Sequence, residues 1–496
     1  MNVLLHAASD HAPDSESFRG ARAAGQTLVS RATLLFATLM LGACASFSPD
    51  GGMGPVEQLS QERLGARVQW LRNDADRQAV AAQVSDLLAQ PLQADAAVRV
   101  ALLNNPGLQA TFANLGIAES DLVRAGRLKN PLLAWTDVRN GQGDRKLERV
   151  LLFDVWSLLT MPLAHKMEQR RFEATQAQVA QEVARVALAT RAAYVDAVAA
   201  AQQSRLLEQF LESARISREL AEKMVQTGNW PKLNATRSQL FHAETVARYA
   251  RARQAEHAAR ERLARLLGLE DGLRLVRLPD QLAEPPDTLA EGGELEALAM
   301  RQRFDVAAAK FHVQGTASAL GLTRANRFVS LLELGPARIR EADHPWMTGY
   351  EIELSVPLFD WGGAKVAKAE AIYMQAVSAA AQVAIDARSQ VRETYFGYRN
   401  AHQLARHFRD EVVPLRQLVC EEQLRRYNGM LIGVFELIAD SRALIEASIA
   451  SVQARQDFWL ADNAMQAALI GVNGFSPGGG VRASASSGAD DGAQGH

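Results

Sequence analysis

The chain of 496 residues is long enough for two or three ordinary domains or for one long repetitive one. Hydrophobic residues make up 48% of it but aromatics only 6%, so its apolar content is mostly Ala, Leu and Val, a bias toward helices packed along their length rather than a thick globular core. A formal net charge of −2 gives no electrostatic case for a nucleic-acid partner, and no apolar run reaches the roughly 18–20 residues of a spanning helix, which leaves strands as the means of any membrane crossing.

The first element is an address. Leu35 to Cys44, LFATLMLGAC, is a short apolar segment behind Arg31, long enough for a signal-peptide core and too short to span. The small residues of Leu41-Gly42-Ala43-Cys44 resemble the lipobox of bacterial lipoproteins. That implies removal of 1–43 as signal peptide and acylation of the Cys44 thiol at the new N-terminus. A plain secretory signal with a coincidental cysteine is the alternative. The polar stretch before Arg31 is long for such a segment and points to an upstream start. Ala45 after the cysteine, by analogy with sorting rules in enteric bacteria, favours the outer membrane over the inner, and 44–90 is expected to be an N-terminal anchor segment. Cys420 is the only other cysteine, so neither a structural disulfide nor a cysteine-built metal site is expected.

The chain then repeats itself at a period near 200. Ala101 to Ala110, ALLNNPGLQA, lines up with Ala299 to Ala308, AMRQRFDVAA. Pro162-Leu163 answers Pro357-Leu358, and Arg191-x-x-Tyr194 answers Arg392-x-x-Tyr395. Gly228 answers Gly429, and Leu266-Leu267-Gly268 answers Leu469-Ile470-Gly471. These pairs come in order at nearly constant spacing. The chain therefore holds two copies of one unit, over 91–277 and 295–474, joined by a Pro- and acid-rich linker over 278–294. The Gly-, Ser- and Ala-rich end, 475–496, has the composition of a disordered tail.

Each copy is predicted to open with a helix, Pro106 to Leu128 or Phe304 to Ala325. Two strands should follow: Pro131–Val138 with Arg149–Met161 in the first copy, Phe328–Leu334 with Thr348–Leu358 in the second. The last is the clearest, since Tyr350, Ile352, Leu354, Val356 and Leu358 alternate with Glu351, Glu353 and Ser355. The first copy alternates less cleanly, with Leu158 where Glu353 stands in the second. Beyond Pro162, and beyond Pro357 with Gly362 and Gly363, the composition turns helical, so these residues mark the strand–helix junctions.

From Leu163 to Thr227 there is neither Gly nor Pro, about 65 residues or roughly 100 Å of helix. Val179, Val183, Val186, Thr190 and Tyr194 recur on it at steps of three and four, a narrow apolar seam. The second long helix, Ala364 to about Tyr427, should kink at Pro414. Gly228 in one copy and Gly429 to Gly433 in the other reverse the chain into a returning helix of about 40 residues, with Pro231 suited to the first turn.

A two-stranded hairpin is not stable alone and its edges invite pairing, while four strands are too few to close a barrel with a wide lumen. Closure by several copies answers both problems. Apolar strand faces would then meet lipid, and the polar side, with Glu351 and Glu353, would line a water-filled lumen. Strands of about 9–11 residues suffice to span an outer membrane. The fold class is therefore mainly α with a small β part: long antiparallel helical hairpins continuous with strands that close between subunits.

ALLNNPGLQA, the junction PLFDWGGAKVAKAEA, the Arg-x-x-Tyr helices and the second tip, RYNGMLIGVFELIADSRALIEA, together resemble the outer-membrane efflux family of TolC type, lipoprotein branch, over roughly Leu92 to Gly471. The resemblance implies a homotrimer, with four strands per chain in a twelve-stranded outer-membrane β-barrel continuous with a periplasmic α-barrel. It implies a periplasmic adaptor protein and an inner-membrane transporter as partners, with export of small toxic molecules, metal ions or proteins. No catalysis and no cofactor are implied. Relatives carry acidic residues just inside the second tip, as a ring narrowing the closed channel. The matching places here hold Phe435 and Ile438, and Glu436 and Asp440 are the nearest acids. Three copies would make either one a like-charged ring that prefers cations; ordinary solvated helix charge is the alternative. The tip and gate residues are thus Gly228, Gly429, Gly433, Glu436 and Asp440. The first tip, TGNWPKLN, departs from the family in Trp230 and Pro231.

Two other functions fit much of this pattern: a non-conducting periplasmic scaffold lipoprotein whose hairpins only bind partners, and an exit duct for protein secretion. Strand candidates at matching places in both copies argue against the scaffold. His402 and His407 fall on different helix faces and make a poor metal site. Glu351 and Glu353 have the spacing of paired catalytic carboxylates on one strand face, but a water-filled lumen accounts for them equally. No P-loop, dinucleotide fingerprint or nucleophile elbow stands in a strand–helix setting, so an enzyme is not expected.

Overall fold

The computed structural model describes residues 46–472 apart from 140, 142, 273–275, 290–293, 329–330, 343 and 356–358. Cys44, Pro357 and the 475–496 tail lie outside the described residues. The described chain divides into a sheet unit, Val123–His165 with Val329–Val356, and a helical unit, Ser48–Leu122 and Lys166–Phe328 with the residues from 357 on.

In the sheet unit, β1 (Leu132–Arg139), β2 (Arg145–Asp154), β3 (Leu332–Glu341) and β4 (Met347–Leu354) form one antiparallel sheet in chain order. The two duplicated hairpins join through β2 and β3, with Val150 opposite Ala337 and Phe153 opposite Leu334. Between those pairs the ladder is interrupted, because Pro336 has no N–H to offer β2. At Gly335 the β2 backbone comes so close that an added Cβ would overlap the Leu151 carbonyl oxygen. β1 and β4 are left as edges.

Three strands differ from expectation. The one predicted over Thr348–Leu358 runs from Met347 to Leu354, and Val356 and Leu358 lie outside the described residues. The strand predicted over Arg149–Met161 starts at Arg145 and stops at Asp154. An apolar run such as VLLFDVWSLLTM suits a strand or a buried helix equally by composition. Asp154 decides the change by accepting a hydrogen bond from Ser157 N at 2.7 Å, an N-cap. The strand predicted over Phe328–Leu334 runs instead from Leu332 to Glu341. Its PARIRE end has the composition of a loop, and only pairing with β2 and β4 makes it a strand.

Helices α1 (Gly54–Leu64), α2 (Asp74–Leu88), α3 (Ala94–Asn104) and α4 (Pro106–Ala125) precede β1. Met53, Val56, Val80 and Leu92 are buried in the same core as the long helices. After β2 come α5 (Val155–Gln226) and α6 (Lys232–Leu267), then α7 (Leu295–Gln302) and α8 (Phe304–Ala325). After β4, α9 (Gly363–His407), a π-helical turn (Phe408–Val412) and α10 (Val413–Asn428) run out, and α11 (Val434–Ile470) returns. The π turn stands just ahead of Pro414, where the kink was predicted. The wider turn absorbs the N–H that proline lacks.

Val179, Val183, Val186, Thr190 and Tyr194 are all buried as the seam predicted, flanked by Ala180, Ala184 and Ala187. Desolvation pushes the Tyr194 phenol up to about 12, so it stays neutral. The duplication is visible in the packing. Arg191 pairs with Asp95 at 2.8 Å and Arg392 with Glu296 at 3.3 Å, and the same spacing separates the two arginines as the two acids. Asn105 Nδ2 donates to the Leu266 carbonyl at 2.9 Å, and Arg303 Nη1 to the Ala468 carbonyl at 2.8 Å. Each closes the C-terminus of a returning helix whose final glycine, Gly268 or Gly471, is left-handed.

The segment expected as a linker is strapped down. Trp459 Nε1 donates to the Ala283 carbonyl at 2.8 Å, Arg409 pairs with Asp287 at 3.2 Å, and the buried His402 ring contacts the Pro286 carbonyl through Nε2 at 2.6 Å.

Asp462 on α11 gives this unit a pH dependence. Desolvation raises its pKa above the ordinary 3.8, opposed by Arg191 and by hydrogen bonds from Gln466 and Tyr398. The folded state thus holds the proton more tightly than the unfolded chain. This contribution to stability is fullest below the unfolded pKa and is lost as pH rises through the raised folded value. Asp462→Asn should flatten that loss in thermal melts taken upward from the ordinary carboxylate range; melts that keep the parent's slope would refute the assignment.

Candidate functional site

Successive strand residues point to opposite faces, so the pairing sorts the sheet into two surfaces. One carries Leu133 and Trp135 of β1, Phe153 of β2, Leu334 of β3, and Tyr350, Ile352 and Leu354 of β4. All of these are exposed, Tyr350 at 78%. A contiguous open apolar surface of this kind marks a contact with membrane or partner. The other face carries Glu351 and Glu353, as the alternation predicted, around a small cluster of Val150, Leu152 and Ala337.

The polar face is more acidic than the sequence suggested. Asp154, Glu333 and Glu353 pair in one row across β2, β3 and β4. Like charges directly opposite repel, which favours a well-hydrated surface there. Asp154 is eased by Lys129 at 3.0 Å. Glu333 lay inside the predicted third strand, but its place in this row follows only from the pairing with β2 and β4.

The two strand–helix junctions are unlike. β2 enters α5 with no residue between, and Pro162, predicted at the junction, lies inside the helix. The change of structure is set by the Asp154 cap rather than by proline. In the second copy Asp360 Oδ1 accepts from Gly362 N at 2.8 Å, and Arg327 Nε donates to the Trp361 carbonyl at 3.0 Å. Gly362 has φ 71, a Cβ added there would press on the Arg327 backbone, and Gly363 begins α9.

The hairpin tips also differ. Gly228 is left-handed (φ 76), and Asn229 N donates to the Met224 carbonyl at 2.9 Å, a Schellman-type stop. Pro231 precedes α6 rather than opening it. At the second tip Gly429 has an ordinary φ of −83, and the left-handed residue is its neighbour Met430 (φ 58). Leu431 N closes that turn on the Arg426 carbonyl at 2.9 Å. Met430 is 94% exposed, so its side chain has no packing to oppose the strain. Gly433 is the extended N-cap of α11.

Of the two acids, Glu436 is exposed, while Asp440 is half-buried and accepts from Gln423 Nε2 at 2.7 Å. Trp230 of the first tip stacks on Phe435 of the second, with ring centroids 3.8 Å apart and planes at 13°. The sequence marked both residues as departures but not as partners, since their contact depends on two turns far apart in the chain.

No family model and no curated protein matches the sequence. Solved structures do. The outer-membrane channel OprN aligns with a TM-score of 0.64 at 17% identity, over 86% of this chain and 96% of its own. CusC, described in connection with transmembrane channel formation, aligns at 0.63 and 16%, over 76% and 92%. VceC, an outer membrane protein of Vibrio cholerae, aligns at 0.61 and 17%, over 79% and 96%. The chain has the TolC-type fold. At such identity the TolC-type fold rests on apolar period and turn chemistry more than on particular side chains. Here it places Gly228 and Gly429–Gly433 at the turns between long helices, and it gives each chain one four-stranded sheet.

Proposed function

We propose that this protein is the outer-membrane exit duct of a tripartite efflux system, passively conducting what an inner-membrane transporter and a periplasmic adaptor deliver. One observation carries the proposal: the sheet has an exposed apolar face, an acidic opposite face and two open edges. Such a sheet is a piece of wall. Three copies, β4 of one against β1 of the next, would close it with lipid outside and water within. Exposed apolar residues on α9 and α10, among them Met374, Ile385, Phe396 and Leu418, supply surface for neighbouring copies to cover. The helical hairpins would then enclose the periplasmic part of the duct, with the tips meeting the adaptor. No catalytic step is needed, since the transporter supplies the energy.

Purified full-length protein is expected to run as a heat-modifiable trimer and to show single-channel conductance in planar bilayers. A monomer without conductance would overturn the proposal in favour of a scaffold lipoprotein. A deletion strain hypersensitive to copper, other metals, dyes or antibiotics would separate efflux from protein secretion.

Two variants probe the finer parts. Cys44→Ser is expected to weaken membrane anchoring while sparing the trimer, because strands and helices supply most of the buried contacts; absence of trimers on native electrophoresis would refute this. Glu436→Ala and Asp440→Ala are expected to raise leakage through the closed channel by relieving a like-charged ring. Glu436 should have the larger effect, because Asp440 is engaged by Gln423. Unchanged closed-state conductance in both variants would dismiss the ring.

A further inference from the structure

We propose that the hairpin end of the sheet's apolar face is a binding surface for the phosphate groups of anionic lipid headgroups. This rests on the sheet being membrane wall. Toward the β1–β2 and β3–β4 turns the apolar face changes character, and Arg139, Arg145, Arg149, Arg338 and Arg340 occupy it. Among the described strand residues one carboxylate shares the face there, Asp137, and Arg145 takes it with two hydrogen bonds of 2.9 and 2.6 Å. Arg149 and Arg338 stand directly opposite each other in the β2–β3 register, an arrangement that repels. Neither of them, nor Arg340, has a carboxylate partner among the described residues.

The other face at the same end carries no excess positive charge, with Lys146 between two carboxylates, Glu148 at 3.6 Å and Glu341 at 3.9 Å. The excess positive charge is therefore confined to the side that carries the apolar band. Two indoles hold it in place. Arg149 lies over Trp135 at 4.4 Å and over Trp346 at 5.2 Å, and Arg338 over Trp346 at 5.7 Å. Tryptophan concentrates at the headgroup level of membranes, and the planar guanidinium suits bidentate contact with phosphate oxygens. A repelling arginine pair bordering an apolar band is unfavourable in isolation. It becomes favourable when an anionic layer of fixed depth covers it, which is what lipid headgroups provide.

The test uses the intact detergent-solubilised protein with phosphatidylglycerol as probe and phosphatidylethanolamine as control. Native mass spectrometry is expected to show phosphatidylglycerol retained by the parent, and about tenfold weaker retention by the Arg149→Gln/Arg338→Gln/Arg340→Gln variant. Equal retention by that variant would overturn the proposal. Inorganic phosphate is expected not to displace the lipid; displacement would mean a free-anion site and also overturn it. Arg338→Gln alone relieves the opposed pair, so it should assemble even if the triple variant does not. Phosphatidylglycerol should raise its melting temperature by less than it raises the parent's, and equal shifts would sink the idea. Failure of the duct reading would show separately, as a parent protein without trimers or conductance.

Discussion

Replacing Arg303 by alanine is expected to destabilise the protein by about 3–5 kcal/mol, the cost of leaving a buried charge without its partner. Arg303 is 2% exposed. Its Nε and Nη2 donate to the Asp305 carboxylate at 2.9 and 2.6 Å, its Nη2 also to Gln390 Oε1 at 3.0 Å, and its Nη1 to the Ala468 carbonyl at 2.8 Å. Alanine would strand the mostly buried Asp305 and open the C-terminal end of α11, whose left-handed Gly471 packs against both residues. Chemical denaturation followed by circular dichroism measures the loss. The double variant Arg303→Met/Asp305→Leu should recover most of it, because a buried ion pair returns little beyond its own desolvation. A single-variant loss below about 1 kcal/mol, the worth of an exposed pair, would contradict this account.

If the sheet closes between copies as proposed, Gly335→Ala abolishes heat-modifiable trimers and conductance while leaving the helical circular dichroism signal nearly unchanged. The added Cβ would overlap the Leu151 carbonyl oxygen on β2. It cannot be accommodated by turning a side chain, because the obstacle is backbone. The strain falls on the β2–β3 seam, where Pro336 already interrupts the ladder and where the two duplicated hairpins become one sheet. Overpacking of this kind costs about 1–3 kcal/mol in a core, and here it acts on the register that barrel closure requires. Gly349→Ala on β4 is the control, since nothing lies near a Cβ there and it should conduct normally. Normal conductance from Gly335→Ala would show that the β2–β3 seam does not govern assembly.

The strand boundaries show where sequence reasoning stops. Tyr350–Leu354 was legible because each alternate residue is apolar, a signal contained in the strand itself. β3 was not, since Pro336, Arg338 and Arg340 carry loop composition and are strand only through their neighbours β2 and β4. Pro162 was taken for a boundary because proline usually ends regular structure; the Asp154 cap had already begun the helix upstream. At the second tip a glycine was expected in the left-handed turn, and Met430 holds it beside a glycine that does not need to. Glu436 and Asp440 were named together from the family resemblance, but only packing tells that one is exposed and the other held by Gln423.

What the sequence determined by itself is whatever repeats locally: the duplication, the buried seam from Val179 to Tyr194, the reversing turns and the two-sided fourth strand. Each of these is a periodicity or a turn preference that a short window of residues expresses without help from the rest of the chain. The tertiary structure alone decided the pairing of β2 with β3, the Trp230–Phe435 stack, the Arg303 cap and the arginine row over Trp135 and Trp346. Those depend on which distant residues become neighbours, and that is settled by the packing of the whole chain, not by the spacing within any part of it.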